Sequence, residues 1–182
     1  MYLSEFIEKN HSIVSRATDA LEHLTAQAKD VRNKLTQEEL GATAAATQQA
    51  EIETSRHATI TAALTDLDKV HTDYQTELAK AHIIDASMLH EDAQLFQING
   101  LELTDEQFTA LAEKHRDNPL MVELMRDYQH KHPDLYTHVA LPTLEYKKET
   151  ATCFTEAAKR AVRYPDTIQA ALFLDGKLDP TA

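Results

Sequence analysis

The sequence predicts an all-α protein: long N-terminal coiled-coil helices, read as an antiparallel hairpin, followed by a small C-terminal helical domain. Three observations carry this expectation. Three glycines and five prolines in 182 residues are too few for the many turns of an all-β chain. The chain is rich in alanine, leucine, glutamate, glutamine and lysine, which form helix at little side-chain ordering cost. Apolar residues near the start recur on a seven-residue frame, the signature of one helix running beside another.

Position a of that frame falls on Ile7, Val14, Leu21, Ala28 and Leu35, and position d on Leu3, Asn10, Ala17, Leu24 and Val31. Nine of these ten are apolar, whereas an unconstrained amphipathic helix drifts off such a frame by ~20° per repeat. Asn10, the polar exception, either fixes register and strand number or lies at a fraying end. Within this seam "HSIVSRATDALEHLTAQAKDVRNKL" contains no glycine, proline, phenylalanine, tyrosine or tryptophan. A second seam follows, with Leu64 and Leu78 at a, His57 and His71 between them, and Ile60, Leu67, Tyr74 and Ala81 at d.

The second frame is shifted by one residue from the first, so the pattern breaks between Leu35 and Ile60, where the chain reads "TQEELGATAAATQQAE". Gly41 sits where a helix end commonly takes a left-handed residue. Thr43 is a candidate cap for the next helix, and Thr36 with Glu39 matches the capping-box spacing. The break predicts a hairpin with arms of about 38 and 43 residues, each ~60 Å long. The alternative is one continuous rod of ~125 Å.

Residues 1–86 thus form the coiled-coil element, 87–104 a connector and 105–182 the small helical domain. The connector, "MLHEDAQLFQINGLEL", has an Asn-Gly turn and branched residues that predict a short strand pair. Thr104 and Gln107 then make a capping box, and Phe108, Leu111, Ala112 and His115 form one helical face. Asn118 caps the next helix and Pro119 opens it, with Met121, Leu124, Met125 and Tyr128 inward until His132-Pro133 ends it. A further helix is predicted from Thr143 to Arg163, with Leu144, Ala151, Phe154, Ala158 and Ala161 inward. The run Ala170 to Leu174 beyond Pro165 is too apolar to leave in water, and either closes the domain or docks on a partner.

Several functions are disfavoured by composition. A net charge of -12 argues against nucleic acid as a partner, since phosphate neutralisation needs clustered lysine and arginine. The helix pair around "EKHRDNPLMVELMRDY" has the length of a DNA-binding helix-turn-helix, but Glu123 and Asp127 cancel Arg126 and Lys131. No stretch approaches the ~20 apolar residues of a membrane span, and "MYLSEFIEKN" lacks the pattern of a signal peptide. A cytoplasmic location without membrane contact is expected, and one cysteine, Cys153, fits a reducing compartment as a small buried side chain.

No phosphate loop, nucleophile elbow, Cys-x-x-Cys or His-Glu-x-x-His is present, so no catalytic, cofactor-binding or metal-ligating residue is assigned and no enzyme is expected. Glu8-x-x-His11 and Asp127-x-x-His130 have the spacing used in helical di-iron bundles, which keeps a ferritin-like metalloprotein as a third reading. His57 and His71 at seam positions would tie helix pairing to pH. Lys147, Lys148, Lys159, Arg160 and Arg163 form the local cationic surplus, a candidate face for an acidic protein partner.

The stretch "LTDEQFTALAEKHRDNPLMVELMRDYQHKH" resembles segments of small helical head-assembly proteins of tailed bacteriophages, in which a "DNPLM" pattern follows a short helix. The resemblance covers about thirty residues and carries no functional residue across. It implies a capsid scaffolding-like role in a host cytoplasm: long helices oligomerise, and a short helical end touches the shell protein. The expected function is therefore a self-associating virion-assembly protein that binds itself and a second protein, with a capsid protein as the candidate. The competing reading is a coiled-coil adaptor, chaperone-like or regulatory protein that grips a client.

Overall fold

The computed structural model describes residues 3–81, 87, 89–98, 101–141 and 143–176. Helices run over Leu3–Thr36 (α1), Ala42–Ala81 (α2), Asp105–Lys114 (α3), Pro119–Lys131 (α4), Leu144–Arg163 (α5) and Ile168–Leu174 (α6). A 3-10 helix covers Glu91–Gln97, and no strand occurs among the described residues. The molecule is all-α, and α1 and α2 form the expected hairpin. The strand pair expected in the connector is replaced by the 3-10 helix because the His90 ring caps it, Nδ1 accepting from the Asp92 N–H at 3.2 Å. Asn99 and Gly100 lie outside the described residues.

The chain divides into two compact units, residues 1–75 with 149–182, and residues 76–148. The sequence division put all of 105–182 together, whereas these units group 149–182 with the hairpin.

In the first unit α1 ends at Thr36 and the chain reverses over residues 37–41. The left-handed residue there is Glu38, with φ at +60°, and not Gly41 as the sequence implied. The Glu39 N–H reaches back to the Lys34 carbonyl at 2.9 Å and the Glu38 N–H to that of Leu35 at 3.2 Å, the paired bonds of a Schellman ending. Gly41 instead precedes the first residue of α2, and its carbonyl accepts from the Ala45 N–H at 2.9 Å. Thr43 lies inside α2 and Thr36 inside α1, where the Thr36 hydroxyl donates to the Arg32 carbonyl. Neither is a cap. The threonines and Ser55 along α2 are tolerated for a similar reason: Thr47, Thr54, Ser55, Thr59, Thr65 and Thr72 each donate to the carbonyl four residues back.

Burial along the hairpin is uneven. From Phe6 to Leu21, α1 buries Phe6, Asn10, Ile13, Val14, Ala17, Thr18 and Leu21, a stripe wider than the predicted seam. The excess residues Phe6, Ile13 and Thr18 flank the seam, and part of that widening faces α5 and α6. Phe6 stacks on Tyr74 with centroids 4.5 Å apart, lies 6.0 Å from Phe154, and Phe154 lies 5.0 Å from Phe173. The apolar run Ala170 to Leu174 is thereby absorbed by this unit, with Ala170 and Phe173 buried. Beyond Leu21 only Val31 of α1 is buried, Ile7, Leu24 and Ala28 are half-buried, and Leu3 and Leu35 are exposed. On α2, Ala45, Ala63, Leu67, Tyr74 and Leu78 are buried, Ile60 and Leu64 half-buried, and Ala81 exposed.

Asn10 is fully buried, so it is no fraying end. Its amide donates to the Phe6 carbonyl at 2.8 Å while Oδ1 has no partner. Cys153, expected buried, is exposed, since α5 turns Ala151, Phe154, Thr155, Ala158, Ala161 and Val162 inward and leaves Cys153 on the opposite face.

The second unit is built on Phe108, Met125, Tyr128, Tyr136 and Leu103, with Phe96, Leu101 and Val139 around them. The capping box at Thr104 and the Asn118 cap with Pro119 form as the sequence predicted. The Tyr128 hydroxyl donates to the Leu101 carbonyl at 2.8 Å and accepts from the Leu103 N–H at 3.1 Å.

Two substitutions test these assignments. Glu38→Gly relieves a left-handed conformation that costs a side-chain-bearing residue ~1–2 kcal/mol, partly offset by unfolded-chain entropy, and should raise the chemical-unfolding midpoint; Glu38→Val should lower it. Asn10→Leu keeps the branching but removes the unpartnered Oδ1, and should stabilise by ~1–2 kcal/mol in urea unfolding followed by circular dichroism. A lowered midpoint would mean that the carbonyl is satisfied.

Candidate functional site

The far half of the hairpin is the least covered part of the first unit. Between its arms lies a groove of about 620 Å³ lined by His23, Leu24, Gln27, Asp30 and Val31 of α1 and by Gln48, Glu51, Ile52 and Ser55 of α2. Leu24 and Ile52 are half-buried there. Two helices alone cover only one side of each other's apolar stripe, so this seam keeps a face that a further helix would close. On α2, Thr43, Ala46, Thr47, Ala50, Glu51, Thr54 and Ser55 line a shallow depression of about 700 Å³. No charged residue occurs between Glu39 and Glu51.

The cations expected to form one face of α5 are not equally available. Lys159 Nζ lies 2.7 Å from Asp68 Oδ1 and 2.9 Å from Glu156 Oε1, and these carboxylates raise its pKa. It ties α5 to α2. Lys147 donates to the Arg116 carbonyl at 3.3 Å, and burial lowers its pKa. Lys148 is half-buried, while Arg160 and Arg163 are exposed. Tyr164, Ile168 and Leu172, next along the chain, are exposed as well.

Of the two seam histidines, His57 is exposed and His71 is half-buried. His71 Nδ1 lies 3.1 Å from Thr155 Oγ1, whose own proton goes to the Ala151 carbonyl at 2.9 Å. Nδ1 is therefore the donor and carries the proton in neutral His71. Burial, then the Lys159 ammonium, lower the pKa of His71 against the opposing pull of Asp68 and Glu156.

The metal spacings seen in the sequence do not gather ligands: among the described residues neither Glu8-x-x-His11 nor Asp127-x-x-His130 belongs to a cluster of three ligating groups. His11 stacks on Phe173 at 5.0 Å. A cluster that sequence reading missed joins His90, Asp92 and His115, with one ligating atom of each within 4.8 Å of the others. His90 and Asp92 open the 3-10 helix, and His115 closes α3, its N–H bonding to the Leu111 carbonyl. His115 Nε2 lies 2.7 Å, Lys114 Nζ 2.8 Å and His90 Nδ1 3.2 Å from Asp92 Oδ2. Lys114 and His115 hold the Asp92 carboxyl down at about 2. The only signal in the sequence was His90-x-Asp92, inside a segment read as strand.

No protein-family model, no curated protein sequence and no solved structure matches the chain. Its function is therefore argued from its own residues.

The His71 environment predicts a pH dependence whose sign follows from linkage. A histidine whose pKa is lower folded than unfolded makes the unfolded chain bind more protons below 6.5, so its contribution to stability is present above that value and lost as pH falls below it. The fall in melting temperature from about pH 7.5 to about pH 5.5 should shrink in His71→Gln. An undiminished fall would place the pH sensitivity elsewhere.

Proposed function

We propose that this chain is a non-enzymatic, self-associating assembly protein: the far half of its hairpin pairs with a second copy, and its C-terminal helices hold another protein. The observation that carries the reading is the half-covered seam from Leu24 to Ile52, with its open groove between the arms. A second copy supplies helices of the same apolar period, so two hairpins complete a four-helix arrangement in which each covers the other's stripe. The uncharged stretch of residues 40–50 beside the groove lowers the repulsion between copies of a chain with net charge -12, and leaves Asp30 and Glu51 as the carboxylates that line the groove itself.

The partner-binding half of the proposal rests on Arg160, Arg163, Tyr164, Ile168 and Leu172, which put exposed cations beside exposed apolar side chains. That pairing suits an acidic protein surface with an apolar centre. The virion-assembly role, with a capsid protein as that partner, is supported by the resemblance of residues 103–132 to phage head-assembly proteins.

Light scattering after size exclusion tests the self-association. The parent chain should give a mass above the 20.5 kDa of one chain, rising with concentration. Leu24→Glu combined with Ile52→Glu should return it to one chain at unchanged helix content. A parent mass of one chain up to high concentration would leave the groove to a client protein and sink self-assembly as its purpose.

A further inference from the structure

Of the three groups around Asp92 Oδ2, Lys114 and His115 are explained by hydrogen bonds, whereas His90 is not. The Asp92 N–H points at His90 Nδ1 from 3.2 Å, so Nδ1 presents a lone pair and the ring proton of neutral His90 is on Nε2. That lone pair lies 3.2 Å from Asp92 Oδ2, which has only lone pairs to offer. Two acceptors thus face each other with no proton between them, and the third donor atom, His115 Nε2, lies 2.7 Å from the same oxygen. Two lone pairs, on His90 Nδ1 and Asp92 Oδ2, converge on one point, and the His115 Nε2 proton is directed at the same oxygen. At present the charge of that oxygen is offset by Lys114, whose side chain is 54% exposed and which reaches Oδ2 on a flexible stem.

We propose that His90 Nδ1, Asp92 Oδ2 and His115 Nε2 bind one divalent transition-metal ion of the zinc class, the ion taking the place of the Lys114 ammonium. Two imidazoles and one carboxylate are a ligand set that borderline divalent ions favour over magnesium or calcium. In a tetrahedral site with ~2.0–2.1 Å bonds the ligating atoms lie ~3.3 Å apart. Two of the distances here, 2.7 and 3.2 Å, lie within about 0.6 Å of that value and the remaining pair is within 4.8 Å, so side-chain rotations bring the three atoms to it. His115 moves its proton from Nε2 to Nδ1, a tautomer change without change of charge. His90 is already the right tautomer and gives up only its cap to the Asp92 N–H. The burial gradient, with His115 buried, Asp92 half-buried and His90 exposed, leaves an open side for a fourth ligand from water or from another molecule. The inference stands apart from the self-association reading, since none of its residues lies in the hairpin.

Titration calorimetry of the full chain with zinc chloride, and visible absorption with cobalt, test it. One zinc per chain is expected, with cobalt giving the intense bands of a four-coordinate site. His90→Asn keeps a side chain able to cap the 3-10 helix and leaves buried His115 untouched, so it should fold. It should weaken zinc by at least about tenfold, the size that loss even of an outer-sphere partner costs a metal site. Lys114→Gln removes the competing ammonium and should tighten zinc severalfold, which adventitious binding at other histidines would not show. Absence of stoichiometric zinc in the parent chain, or zinc held equally well by His90→Asn, overturns the proposal.

Discussion

The stack of Phe6 on Tyr74 fixes how far one arm of the hairpin slides along the other. Phe6 lies 30 residues before the end of α1 and Tyr74 lies 32 residues after the start of α2, distances of about 45 and 48 Å at 1.5 Å per residue. The arms are thus matched in length between the ring contact and the turn. Any slip by a helical turn would carry Phe6 off Tyr74 and also break its approach to Phe154. Aromatic pairs add ~0.5–1.5 kcal/mol to the burial of their surfaces, and here the chain Tyr74, Phe6, Phe154, Phe173 spends that on joining four helices. The register so fixed places Leu24 and Val31 across from Ile52 and Gln48, and hence sets what lines the groove.

The two units handle buried polar groups differently. In the first, Asn10 Oδ1 and Thr18 Oγ1 face the interior without partners, a cost to stability that a seam can exchange for a unique pairing. In the second, the polar atoms are tied into the irregular backbone. Tyr136 sits at φ +60°, its carbonyl accepts from Gln129 Nε2 at 2.6 Å, and its hydroxyl donates to the Leu103 carbonyl. Burial, with the Tyr128 hydroxyl next, pushes the Tyr136 hydroxyl up to about 12, so it stays a donor. These bonds hold a bulky side chain in a backbone region it otherwise avoids.

Legibility in the sequence followed the range of the interaction involved. Caps are local chemistry, and Thr104, Asn118 and Pro119 announced their helices correctly. The hairpin was legible because a one-residue frame shift between the seams marks a break that a glycine reinforces. Which residue turns left-handed was not legible: Gly41 is permissive, but the bonds to the Lys34 and Leu35 carbonyls select Glu38. Phe6 lies outside a two-helix frame and is buried because Phe154 of a further helix widens the contact. The His90–Asp92–His115 cluster depends on residues 90–92 and 115 being folded together, 23 positions apart, and no spacing rule for a single helix or strand encodes that approach.

Charge distribution explains why the far end of the hairpin is the surface suited to another copy. A chain of net charge -12 repels its own kind, and within a Debye length of ~8–10 Å that repulsion acts on whatever surfaces meet. Near the turn, Lys29, Arg32 and Lys34 balance Asp30, Glu38 and Glu39 in number, and residues 40–50 carry no charge. Lys34 is held at its own helix by Asp30 at 2.7 Å, which leaves that face nearly neutral. Apolar burial at this end is therefore opposed by less charge repulsion than elsewhere: of the two carboxylates lining the groove, Asp30 is paired with Lys34, which leaves Glu51 as the one to accommodate. The uncovered seam and the uncharged stretch adjoin near the turn, with Asp30 and Glu51 the carboxylates that a pairing at the groove has to accommodate.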